Sequence, residues 1–242
     1  MNIHDLREAQ VRYQNRIDEI KEARVELHKL RQSFISFYNT DKIKKMTVEE
    51  YVIGGDIPEV GFNFCYTLER QLDGLGRIIG ANAFKFGVYY GRTKSDKEYI
   101  YRHTKKFGED YIEAFENVRL SILQLLVDGK KQALEGIADN LLSPMFKGKI
   151  LSTYFPERYL NVFSPDHLDY FLIQLDLDSA DLIYSDSLYK REALIAFKNN
   201  DAVMKNWSVD FFANFLYTEY PGRPPKENSG EVDILLDYRN PT

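Results

Sequence analysis

The chain has 242 residues, 44% hydrophobic and 29% charged, with a formal net charge of −5 and a single cysteine. That composition can fill a core, and it lies far from the low-hydrophobicity, high-charge pattern of disordered chains. One cysteine excludes an intrachain disulfide framework, and no apolar run approaches the length that crosses a bilayer, so the cytoplasm is the expected location.

The amino-terminal segment carries acidic residues throughout and no uninterrupted apolar run, unlike a secretory signal or a transit peptide. In it Leu6, Tyr13, Ile20, Leu27 and Phe34 recur every seven residues, and Ala9, Ala23, Leu30 and Phe37 fall three later. This heptad seam predicts one long helix over 5–38, about 50 Å of coiled-coil-like arm. Arg16 in a seam position and Ile17 beside it leave two uses open: self-association through residues 5–38, or packing against the rest of the chain or a partner.

The glycine, proline and acid of "GGDIPEVG" (54–61) mark the expected passage from an arm (1–53) to a compact recognition domain (54–220). "FNFCYTLE", "AFKFGVYY" and "KEYIYRH" are aromatic and β-branched runs that read as three strands, and "GKILSTYF" reads as a fourth. Three- and four-residue apolar steps predict helices in "EDYIEAFENVRLSILQLLVDG" and "KQALEGIADNLL". Ser164 and Pro165 suit the N-cap and first position of a helix in "PDHLDYFLIQL", and two more helices are expected over 187–199 and 208–217. Residues 221–242 read as a linker or tail. The expected fold class is therefore α+β: a long N-terminal helix, then a small mixed, mainly antiparallel sheet flanked by helices.

Several chemistries lack their minimum parts. The glycines of "GLGRIIGANAFKFG" form neither the phosphate-loop pattern nor the dinucleotide fingerprint, since Lys85 precedes Phe86 and Gly80 falls one residue late. His4, His28, His103 and His167 have no ligand spacing, and Cys65, between Phe64 and Tyr66, suits a buried small hydrophobe, so no metal and no cofactor are expected. The only Glu-x-Lys, Glu19-Ile20-Lys21, lies on the heptad helix rather than after a strand. Acids such as Asp139, Glu157 and Asp169 leave a metal-dependent nuclease as a remote third option.

The informative stretch is 77–106, which holds eight basic residues against Asp96 and Glu98, a net of +6 that leaves the other residues at −11. Tyrosines and phenylalanines interleave with the cations, and on strands alternate members face opposite sides, so half can fill a core and half can stack on bases. A hairpin with a lysine-rich turn protecting a sheet edge is the competing explanation. Lys147 and Lys149 extend the same face if the fourth strand pairs with the first group. On the nucleic-acid reading, Arg92, Lys94, Lys97, Lys105 and Lys106 contact phosphates, while Arg77, Lys85, Tyr89, Tyr90 and Arg102 approach bases.

Leu75-Gly76 with Gly80, Lys85-Phe86-Gly87, Tyr154-Phe155-Pro156, Phe163-Ser164 and His167-Leu168 give residues 62–220 an order that resembles the DNA-recognition region of McrB-like restriction and phage-defence proteins. In those proteins the region precedes an AAA+ motor or a nuclease domain and selects DNA, sometimes by a modified base. The resemblance implies a DNA-binding, target-recognition function without catalysis in this chain, acting with a nuclease or motor partner. The alternative is a coiled-coil adaptor whose basic face meets an acidic partner.

Overall fold

The computed structural model describes residues 3–56 and 58–222. Of the expected linker or tail, residues 223–242 lie outside the described residues. The fold is α+β: helices dominate, and among the described residues one two-stranded antiparallel sheet is present.

The first correction concerns the arm. The heptad segment is divided into α1 (Ile3–Gln14) and α2 (Ile17–Phe37), with turn residues at Asn15 and Arg16. The division has a packing cause, because the two halves serve different cores. Leu6, Ala9, Tyr13 and Ile17 are buried in one cluster, and Phe34 is buried in another. The Tyr13 hydroxyl donates to Phe211 O at 2.9 Å, and the Trp207 indole donates to Gln14 Oε1 at 3.0 Å. The start of the seam thus packs on the carboxy-terminal helices and its end on the other cluster, and among the described residues no single long coiled-coil helix is present.

After α2 come α3 (Thr40–Lys44) and α4 (Val48–Tyr51), the latter opened by a reciprocal capping box between Thr47 and Glu50. The expected strand "FNFCYTLE" is instead helical: α5 (Phe64–Tyr66) runs into a π-turn at Thr67–Gln71 and a 3-10 turn at Asp73–Leu75. Asn63 caps it by accepting the Tyr66 N–H, and Phe64, Cys65 and Leu68 are all buried. A helix buried on several sides loses the polar face that a periodicity test needs, so aromatic content imitates a strand.

In "AFKFGVYY" only the second half is extended. α6 (Asn82–Phe86) comes first, Gly87 ends it, and β1 (Val88–Gly91) follows; β2 (Ile100–His103) pairs with β1 in the register Val88↔His103, Tyr89↔Arg102, Tyr90↔Tyr101, Gly91↔Ile100. Tyr90 N–H also donates to Ile53 O at 3.2 Å, which ties the hairpin to the segment after α4. That approach requires Gly54: its φ is +94°, and a Cβ there would lie 2.0 Å from Tyr90 O.

A 3-10 turn at Lys105–Phe107 leads into α7 (Tyr111–Lys131), capped by Asp110, and α8 (Leu134–Asp139) follows. "GKILSTYF" is also helical rather than extended, forming most of α9 (Pro144–Tyr154). Ser143 accepts the Phe146 N–H and Pro144 occupies the first turn, while residues 146–153 are buried without exception. The remaining helices are α10 (Pro165–Gln174), α11 (Ala180–Ile183), α12 (Ser187–Asn200) and α13 (Val209–Glu219). One core gathers the end of α2, α3 to α9 and β1; the other gathers α1, the start of α2, α10, α12 and α13.

Candidate nucleic-acid interface

The hairpin stands on the first core through Val88, which is fully buried, while its turn, residues 92–99, is largely exposed. The turn is organised by Asp96, whose carboxylate accepts the Thr93 N–H at 2.5 Å and the Thr93 hydroxyl at 2.8 Å and pairs with Arg102. Those donors hold the carboxyl down to about 2, so Asp96 is ionised at neutral pH. Arg102 is thereby committed to the turn.

Arg92, Lys94 and Lys97 project from the distal end of the hairpin, and Lys105 and Lys106 lie past its proximal end, all exposed. Four-residue strands set the two groups at opposite ends of the ribbon, more than about 10 Å apart. Lys106 Nζ donates to Leu141 O at 2.8 Å, and partial burial lowers its pKa. Arg77 is exposed on the loop before α6, near the exposed Ile79 and Phe84.

Tyrosines line one side of the ribbon. Ring centroids run Tyr99 to Tyr90 at 5.6 Å, Tyr90 to Tyr101 at 4.9 Å and Tyr101 to Tyr111 at 4.3 Å, the last pair nearly parallel at 8°. The Tyr101 hydroxyl donates to Glu49 Oε1 at 3.3 Å. Tyr99 ends the row, 51% exposed, with the Arg92 guanidinium 5.5 Å from its ring centre. Tyr89 faces Arg102 across the sheet, on the opposite side from Tyr90.

Three expected contributors are elsewhere. Lys85 is 3% exposed and paired with Glu69, with its ammonium also 3.3 Å from Gly80 O, so it braces the turn before α6. Lys147 donates to Ile137 O and Ala138 O, and Lys149 to the carbonyls of Leu72, Leu75 and Gly76 at 2.6, 3.1 and 2.7 Å. Neither extends the basic face, because α9 is a core helix. Sequence reasoning missed Tyr111 and Glu49, which complete the tyrosine row; Tyr111 follows the Asp110 cap directly, and only the fold sets it under the hairpin.

Among the described residues no group of three or more His, Cys, Asp or Glu side chains is placed to hold a metal ion, and no described helix is long and apolar enough to cross a membrane. No protein-family model matches the chain, and no curated protein or solved structure matches it.

Proposed function

We propose that this protein binds nucleic acid through the β1–β2 hairpin and acts as the DNA-recognition component of a cytoplasmic restriction or anti-phage defence system, with catalysis supplied by a nuclease or AAA+ motor partner. The observation that carries the reading is the display of Arg92, Lys94, Lys97, Lys105 and Lys106 at the two ends of one ribbon, beside an aromatic row. The rest of the chain carries a net negative charge, which favours this face for an anionic partner. Arg77 lies on the loop leading into α6 and adds a further cation. Lys85 takes no part, and Arg102 acts by shaping the turn.

The test is a titration with unmodified, methylated and single-stranded DNA at two salt concentrations, repeated with Arg92, Lys94, Lys105 and Lys106 changed to Glu. Binding is expected to weaken as salt rises, because counterions are released from each contacted phosphate, and the slope should fall by about one for each phosphate contact removed. Absence of binding at low salt would leave the ribbon as edge protection or a protein contact.

A further inference from the structure

The tyrosine row makes a finer demand on the ligand than the cations do. Tyr111 sits in the first turn of α7, Tyr101 stacks on it and is held by Glu49, and Tyr90 leans on Tyr101. These three rings are half-buried and packed against the first core. Tyr99 alone in the row is exposed, and it contacts Tyr90 at an interplanar angle of 38°. It is therefore an aromatic surface at the end of an anchored row, so little ordering entropy is lost when a ligand covers it.

The Arg92 guanidinium lies over the Tyr99 ring at 5.5 Å and swings aside when a base stacks there, and Lys94 and Lys97 stand in the same turn. A duplex has little to offer such a ring. Its bases already cover one another's π-faces, leaving edges and phosphates. An unpaired base presents a free face, and stacking on an aromatic side chain then adds to the phosphate attraction. The geometry points to Tyr99 as the platform on which one unpaired base stacks while Arg92 engages the adjoining phosphate, so that this face takes single-stranded nucleic acid in preference to duplex. This inference rests on the nucleic-acid reading above and names its ligand class.

The decisive experiment is a fluorescence-anisotropy titration of the whole chain with one labelled oligonucleotide, free or annealed to its complement. It compares the wild type, Tyr99→Ala, Tyr99→Phe and the fourfold charge reversal. Tyr99→Ala should weaken single-strand binding roughly tenfold and leave duplex binding unchanged. Tyr99→Phe keeps the ring face and should keep wild-type affinity. If Tyr99→Ala leaves single-strand affinity intact while charge reversal abolishes it, the platform is overturned and the nucleic-acid reading stands. Equal losses on single strand and duplex also overturn the platform. A wild type that binds neither form overturns the nucleic-acid reading and the platform with it.

Discussion

Two cations, one fully buried and one partly exposed, hold the turn that follows α5. Lys149, fully buried, donates to three of its carbonyls, and Arg24 donates to Gly74 O at 2.9 Å. Burial lowers the Lys149 pKa to about 7, against the opposing pull of Asp73 and Asp210. In an unfolded chain the lysine titrates near 10.4, so between about pH 7 and 10 the unfolded state binds more protons and stability rises with pH. Lys149→Met removes both the bonds and this titration. It should cost about 2–4 kcal/mol in urea unfolding, and the gap from wild type should widen between pH 7 and pH 9. A gap that is flat or narrows over that range would mean that the buried group does not titrate there.

At the scale of elements, one backbone approach ties the hairpin to the segment after α4. Gly54 carries the chain past Tyr90 at φ +94°, and no side chain fits beside the Tyr90 carbonyl. Gly54→Ala should push the segment after α4 away from β1 and break the bond from Tyr90 N–H to Ile53 O. Hydrogen exchange at Tyr90 is expected to accelerate, while amides in the carboxy-terminal half of α7, beyond the Tyr101–Tyr111 contact, keep their protection. Uniform acceleration over both elements would show global destabilisation instead. Three helical stretches, α5, α6 and α9, fall where strands are expected, and two share one reason: α5 and α9 are buried on most sides, so neither shows the polar stripe by which α7 is recognised. The start of α9 was nonetheless written in the chain, since Ser143-Pro144 repeats the Ser164-Pro165 signal that opens α10.

At the scale of the molecule, Asp210 joins the two cores. From the first turn of α13 it accepts two bonds from Arg24, at 2.8 and 2.6 Å, one from Asn161 at 2.9 Å, and lies 3.0 Å from His28 Nε2. Burial raises its pKa, but His28, Arg24 and Asn161 outweigh that and leave it below the usual carboxylate range. Its contribution is therefore complete above about pH 4 and is lost as pH falls through the depressed folded value. Because α2 runs through both cores, urea unfolding should be one transition, with the fluorescence of Trp207 in the second core and the far-ultraviolet circular dichroism sharing a midpoint. Asp210→Asn strands the Arg24 charge and should cost about 3–5 kcal/mol. If the two cores rely on this junction, the two signals should separate in the variant. Coincident signals there would place the coupling in the apolar contacts of α2.

The basic, tyrosine-rich stretch, the hairpin at its centre, most helices after residue 108 and the absence of heptad breakers before Gly54 are local properties of residue order, and the sequence by itself determined them. Tertiary structure decided which groups remain available to act. It sent the heptad seam inward by giving Tyr13 and Phe34 different cores, and it buried Lys85, Lys147 and Lys149 against carbonyls and Glu69. It also brought Tyr111 and Glu49 beneath a ribbon far from Glu49 in the chain. The physical reason is that period and composition report what a residue prefers, whereas burial and pairing depend on neighbours that chain order does not place side by side.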